Sequence, residues 1–466
     1  MPSRADALAA AARVFDSGAF ERTLARRVAH RTESQNPERA AALRAYLSDE
    51  IAPSLAAIGV QSHVHDNPLP GAQPLLTGHR VEDPTLPTVL VYGHGDVVRG
   101  LEGRWHDGLD PWTLTARDGR WFGRGSADNK GQHSINIAAL AAVLAARSGR
   151  LGFNLVWLVE MGEETGSPGL AEFCRAHREA LAADVLIASD GPRLHADRPT
   201  VYLGTRGVAN FDLTLRLREG GHHSGNWGGL LRNPGTVLAH AIASLVDARG
   251  RITIDALRPP PIPPSVKRAL ADIEVGGEAG DPAVDLDWGE PGLTPAERVF
   301  GWNTIEVLAL GVGNAAQPVN AIPHEARATL QLRFVVGTDA ARLRRHVLAH
   351  LQQRGFAGIE VSDPIVMAAT RLEPDNDWVR FALRSIEQTT GQRPTLLPNL
   401  GGSLPNDVFA DILGLPTVWV PHSYPACSQH APNEHVLAPV MREGLLMMTG
   451  LFYDLGQHAA TLPRRR

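Results

Sequence analysis

Three short apolar runs rich in β-forming residues each end in a polar turn, and that recurrence limits the folds open to the chain more than any other feature. Thr88–Gly93 (TVLVYG) runs into His94-Gly95-Asp96, Phe153–Val159 into Glu160-Met161-Gly162-Glu163-Glu164, and Asp184–Ala188 into Ser189-Asp190-Gly191. A helix-like stretch, Ser134–Ala146, separates the first two. Strands that alternate with helices imply an α/β layer fold with a largely parallel sheet. Such sheets place their chemistry at the C-terminal ends of strands.

The texture changes after Gly204 and Gly207. Phe211–Leu217 (FDLTLRL) alternates apolar and polar, as a strand with one wet face does, and Ile305–Leu310 and Ala326–Val335 look similar. Ala341–Gly355 supplies a helix, while Pro259–Pro264 and the glycine- and acid-rich Gly276–Pro291 read as loops. After about residue 370 the pattern returns to helix, Trp378–Thr389, and strand, Thr417–Val420. The first sixty residues read as helices, one opened by Pro37 and Glu38. The expected architecture is an α/β domain built from residues 1–206 and 370–466 and interrupted by an α+β domain at 207–369.

Composition narrows the function classes. The 466 residues suit two or three domains at about 150 residues each. With 45 basic and 50 acidic residues the net charge is −5, so no global positive field draws the chain to nucleic acid or an anionic membrane. No stretch approaches the roughly 20 apolar residues of a membrane span. Asp6, Asp16 and Glu21 interrupt the N-terminal pattern where a signal peptide is uninterrupted. Cys174 and Cys427 make no disulfide framework. A reducing compartment, the cytoplasm, is expected.

The polar turns carry the chemistry. His94 and Asp96 lie two apart, so their side chains point the same way. A histidine so placed ligates a metal through one nitrogen while a carboxylate holds its other N–H; a polar turn is the plainer reading. The stretch Gly123-Arg124-Gly125-Ser126-Ala127-Asp128-Asn129-Lys130-Gly131 allows close backbone approach, and Asp128 precedes a helix, where an aspartate also serves as a cap. Glu163 and Glu164 repel unless a metal or proton sits between them; their divergence leaves one for a metal and one for a proton, or makes a solvated acidic turn. Asp190 stands at the third strand end, where cap or turn is again open. His435, in Gln429-His430-Ala431-Pro432-Asn433-Glu434-His435, sits among polar residues, where a surface histidine is the plainer reading. Taken together, two histidines and three carboxylates make a two-metal hydrolytic site.

This ordered set, His94-x-Asp96, Gly-Arg-Gly-x-x-Asp128-x-Lys-Gly, Glu163-Glu164-x-Gly-Ser, Asp190 and His435, resembles the metal-dependent M20 peptidases from about residue 88 to residue 440. That family includes glutamate carboxypeptidases, carnosine-type dipeptidases, acetylornithine and succinyl-diaminopimelate deacylases, and aminoacylases. The resemblance implies a catalytic domain and an inserted lid and dimerisation domain. It implies two divalent ions, zinc first with cobalt or manganese compatible: His94 and Asp190 on one, Glu164 and His435 on the other, Asp128 bridging. Asp96 would orient His94. Glu163 would take a proton from water and deliver it to the leaving amine.

Gly221-His222-His223-Ser224-Gly225 resembles the lid motif whose histidine before Ser-Gly stabilises the oxyanion, often across a dimer, which assigns His223 rather than His222. Arg333 resembles the lid arginine that binds a substrate carboxylate, with Arg327 as the alternative. Asn320 and the Gly401-Gly402-Ser403 turn fall where the family contacts substrate. Tyr202–Gly207 would mark the crossing into the lid and Thr370–Pro374 the return. The chain departs from the commoner pattern in Gly-His-Gly-Asp and in Glu160-Met161-Gly162. Its long Arg99–Trp121 connection resembles the dipeptidase and carboxypeptidase branch. The implied activity is cleavage of dipeptides or other peptides with a free C-terminal carboxylate, by a homodimer. The alternatives are an N-acyl amino acid deacylase and, remotely, a catalytically silent metal-binding interaction protein.

Overall fold

The computed structural model describes residues 3–277 and 281–464, so residues 278–280 of the expected Gly276–Pro291 loop lie outside the described residues. Its larger sheet has eight strands in the order Gln61–His65, Leu75–Arg80, Asn154–Glu160, Thr88–His94, Val185–Ala188, Thr417–Trp419, Thr200–Tyr202 and Thr395–Leu397. The central strands are parallel, with Thr88–His94 between Asn154–Glu160 and Val185–Ala188. Antiparallel pairs join the first three strands in that order.

Side chains of the central strands alternate between two cores, as a period of two requires. Val89, Val91, Leu155, Trp157 and Val159 enter a core shared with helices Arg4–Asp16, Lys130–Ala146 and Ala438–His458. Leu90, Tyr92, Val156 and Leu158 enter the opposite core. Burial on both faces explains why these strands are apolar throughout. It also leaves their C-terminal ends as the place where polar groups emerge.

The smaller sheet is antiparallel, in the order Thr304–Val312, Glu325–Phe334, Gly207–Arg216 and Glu360–Val361, with Ile365–Met367 also on Gly207–Arg216. Helices Pro234–Leu245 and Leu343–Gln353 cover one face. Gly207–Arg216 and Glu325–Phe334 alternate buried and half-buried residues. The alternation of Ile305–Leu310 predicts one wet face, yet in strand Thr304–Val312, the sheet's open edge, every residue beyond Ile305 is exposed, because only Ile305 of this strand reaches the core of the smaller sheet.

One part of the 207–369 span packs elsewhere. Helices Pro264–Leu270 and Pro295–Gly301 send Val266, Leu270, Ala296 and Phe300 into the second core of the larger sheet. They clasp that sheet from within the intervening sequence. No helix of the described residues is long and apolar enough to cross a membrane.

Candidate active site

The polar turns converge at the C-terminal ends of the parallel strands. His94 ends its strand, Glu163 and Glu164 open the turn after Asn154–Glu160, and Asp190 follows Val185–Ala188. Asp128 enters from the loop before helix Lys130–Ala146. Two glycines let these turns close. A Cβ on Gly131 would lie 2.0 Å from the Ser126 carbonyl oxygen, and one on Gly95 would lie 2.5 Å from the Tyr46 ring and 2.7 Å from Met161 Sδ. Gly95 and Met161, the two unusual features of the motifs, therefore fit each other: the thioether and the tyrosine ring fill the space that a larger residue at 95 would need.

Asp128 joins two groups. Its Oδ1 is 2.9 Å from His94 Nε2, which is 3.6 Å from Asp190 Oδ2. Its Oδ2 is 2.9 Å from His430 Nε2, which is also 2.9 Å from Glu164 Oε2. Each group gathers three ligand atoms within 4.8 Å of one another. Asp96 braces both sides: its carboxylate accepts the Glu163 and Glu164 N–H groups at 3.2 and 3.1 Å, and its Oδ1 lies 3.4 Å from His94 Nδ1.

So many carboxylates in one buried place repel unless cations come between them. Burial raises the Glu163 carboxyl well above the usual range, and Asp190, Asp128 and Glu164 add to the shift against His94. Burial also pushes Glu164 up to about 7 and Asp190 up to about 6. Burial works in the same direction on Asp128, but hydrogen bonds from His430 and His94 overcome it and hold that carboxyl below its usual range. Hydrogen bonds to Asp128 and Glu164 push His430 up to about 11. The carboxylates of each group thus draw positive charge towards the imidazole beside them. Glu164 Oε1 and Asp190 Oδ2, one in each group, are buried with no hydrogen-bond partner. Open carboxylate oxygens beside imidazole nitrogens and a shared aspartate form a donor set that fits two divalent cations.

The smaller domain contributes a second constellation. His223 pairs with Ala321 in a short ribbon, and the Ser224 N–H donates to the Asn320 carbonyl at 2.9 Å, so His223 and Asn320 are neighbours. The Gly225 N–H donates to His223 Nδ1 at 3.2 Å, and both His223 and Asn320 are exposed. Arg333 donates from Nη1 to Ser403 Oγ at 3.0 Å, which joins the Gly401-Gly402-Ser403 turn to the smaller sheet. Arg327 instead pairs with Asp212 on the exposed face. A Cβ on Gly191 would lie 3.3 Å from Leu400 Cδ2, which places the start of that turn beside Asp190.

The family model described as Peptidase family M20/M25/M40 matches residues 90–454, most of the chain. The chain belongs to that family. It is an M20-type metallopeptidase. A cysteinylglycine-S-conjugate dipeptidase of Corynebacterium striatum is 29% identical over 338 residues, covering 68% of this chain and 70% of the relative. A β-Ala-His dipeptidase of Homo sapiens is 26% identical over 409 residues, covering 82% and 78%. The structure of an M20 family metallo-carboxypeptidase from Sulfolobus solfataricus superposes with a TM-score of 0.79 at 23% identity, covering 94% of this chain and 99% of that one; it shares the fold.

In this M20 chain one sequence expectation is corrected. His435 joins neither group: its Nε2 is 2.6 Å from the Tyr424 hydroxyl and its Nδ1 is 2.9 Å from the Asn433 carbonyl. It begins strand His435–Leu437, which pairs with Arg120–Phe122, and that pairing fixes its direction. The imidazole facing Asp128 and Glu164 is His430, five residues earlier. The local pattern gives only a weak signal: Val436-Leu437 after His435 suits a strand start, whereas His430 lies in a polar turn, and the pairing with Arg120–Phe122 decides between them. Two neighbours of His430 also act on Asp128 without a sequence signal of their own: Gln429, whose side-chain amide donates to Asp128 Oδ2, and Glu434. Glu434 accepts from the Arg124 guanidinium at 2.7 Å and from the backbone N–H groups of Gly125, Ala127 and Asp128, so it pins the glycine-rich loop that presents Asp128.

Proposed function

We propose that the chain hydrolyses dipeptides with a free C-terminal carboxylate. The observation that carries this reading is Asp128, whose two oxygens face separate imidazole-carboxylate groups beside Glu163. His94 and Asp190 would hold one divalent ion, His430 and Glu164 the other, with Asp128 shared; the donors suit zinc and are compatible with cobalt or manganese. When bound, such ions polarise a carbonyl and make water acidic enough to attack it near neutral pH.

The chain's own groups do the rest. Glu163 takes a proton from the attacking water and hands it to the leaving amine, two tasks that suit a carboxyl whose pKa its surroundings have moved. Asp96 holds the Glu163–Glu164 turn by two N–H groups, so Glu163 cannot drift from the reacting carbonyl. His223 Nδ1 accepts from Gly225, which leaves the Nε2–H to meet the oxyanion. Asn320 would contact the substrate beside it. Arg333, with Ser403 and the Gly402 turn, would take the carboxylate as a guanidinium fork does. The dipeptidase names of the relatives support this substrate class over N-acyl amino acids.

Assembly as a homodimer through the smaller domain is supported by its open edge strand, where Val307, Leu308, Leu310 and Val312 are 45%, 54%, 53% and 42% exposed. An apolar unpaired edge is a template for another chain. Such a dimer would bring the exposed His223 to the partner's active site. Two buried, unpaired cysteines fit a reducing compartment, the cytoplasm.

The test is amino-acid release from a panel of dipeptides and N-acetyl amino acids by zinc-loaded protein, beside a Glu163→Ala variant. Dipeptides should be turned over and acetylated amino acids hardly touched, and the variant should lose about 100- to 10,000-fold. Preferential release from acetylated amino acids would move the chain to the deacylase branch. No release from either set, with two metals bound, would make it a silent metal-binding protein.

A further inference from the structure

Among the described residues, the buried arginines fall into two kinds. Arg27, Arg124 and Arg193, each no more than 1% exposed, face the carboxylates of Glu50, Glu434 and Glu443 at 3.7, 2.7 and 2.6 Å. Arg206, 6% exposed, pairs with no carboxylate. Its Nη2 donates to Thr304 Oγ1 at 3.2 Å and to the Arg333 carbonyl at 3.3 Å, and its Nε has no partner. Burial first, and then the neighbouring Arg333, lower its pKa to about 10, and exposed Glu306 only partly offsets them. A buried cation without a counter-ion is costly unless something anionic arrives to meet it. Besides Glu306, its charged neighbour is a second guanidinium, Arg333, which also forms no ion pair among the described residues.

The backbone of Arg206 belongs to the same assembly. Its N–H donates to Leu400 at 3.0 Å, and its carbonyl accepts from Ser403 Oγ at 2.7 Å while that hydroxyl accepts from Arg333 Nη1 at 3.0 Å. Arg206 precedes Gly207, where the chain enters the smaller sheet opposite Phe334. One residue therefore holds the carbonyl of Arg333, the hydroxyl of Ser403 and the edge residue Thr304 at the junction of the two domains.

We propose that Arg206 is a positioning residue for the substrate's carboxylate: it fixes Arg333 and Ser403 and adds a second positive charge behind them, so that free carboxylates are selected over their amides. This rests on the dipeptidase reading for its substrate, but its test need not use turnover. The probes are a reduced-amide (CH₂–NH) dipeptide with a free carboxylate and the same compound as its C-terminal carboxamide. Their binding to the zinc-loaded full chain is measured by calorimetry.

Wild type should favour the carboxylate. Arg206→Met should weaken it about tenfold or more and leave the carboxamide nearly unchanged, and Arg206→Lys should recover much of the loss. Thr304→Val, which removes one partner of Arg206 and no charge, should weaken the carboxylate probe about threefold and leave the carboxamide nearly unchanged, and it carries the test if Arg206→Met does not fold. Equal weakening of both probes would reduce Arg206 to a structural role, and no change in either, or equal affinity of wild type for both, would also overturn the proposal. A wild type that prefers the carboxylate yet hydrolyses no dipeptide would sink the dipeptidase reading and leave the role of Arg206 standing.

Discussion

At the rim of the larger sheet, His94, Asp128 and Asp190 are buried, braced by Asp96 and Glu434, and face one another within a single chain. In the smaller domain, His223 and Asn320 are exposed at a short ribbon, and the edge strand Thr304–Val312 leaves Val307, Leu308, Leu310 and Val312 42–54% exposed. The first region is preorganised by packing: parallel strands buried on both faces can only end in a polar rim. The second, on the proposed function, would offer its groups to substrate from an exposed surface. On the proposed function, chemistry that needs fixed charges sits on the rigid scaffold, and substrate recognition on the more exposed domain.

The comparison breaks most sharply at His223. His223→Ala should lower kcat by about 100- to 1,000-fold, as loss of an oxyanion donor does, with metal content unchanged. Leu308→Lys with Leu310→Lys, which charges the edge, should give a monomer by sedimentation and the same loss of kcat. A fully active monomer would show that His223 serves its own chain. Arg333→Ala should raise KM for a free dipeptide by about 10- to 100-fold, the range of a charge-assisted hydrogen bond, and leave the amide-blocked dipeptide untouched. Equal effects on both substrates would remove the carboxylate clamp.

The buried rim should also report itself through pH. Glu164 and Asp190 have folded pKa values of about 7 and about 6, above the ordinary carboxylate range. Without metal the folded protein therefore keeps protons that the unfolded chain has lost, and its stability falls as pH rises from that range to about 7. Metal binding needs those carboxylates ionised, so the gain in melting temperature on adding zinc should be larger at pH 7.5 than at pH 5.5. Equal gains would mean that these acids do not meet the metal.

The same contrast explains what was legible in the sequence. The apolar runs Thr88–Gly93, Phe153–Val159, Asp184–Ala188 and Thr417–Val420 made four strands of the larger sheet legible, because burial on both faces leaves a continuous pattern, whereas its outer strands carried no such pattern. The alternation in Phe211–Leu217 and Ala326–Val335 made two strands of the smaller one legible, observed as Gly207–Arg216 and Glu325–Phe334. Long-range placement was harder to read. His430 and His435 sit in one polar segment, and only the pairing of His435–Leu437 with Arg120–Phe122 turns the second away. Helices Pro264–Leu270 and Pro295–Gly301 have short apolar patterns that suit either core, so nothing local assigns them to the larger sheet. The unpaired charge of Arg206 is visible only once its neighbours are known.

The most direct measurement is the zinc content of exhaustively dialysed His430→Ala protein beside His435→Ala. With Asp128 shared between two ions and His430 closing the second group, the first variant should retain about one equivalent and the second about two. Two equivalents in His430→Ala and one in His435→Ala would contradict that arrangement and return the second ion to His435.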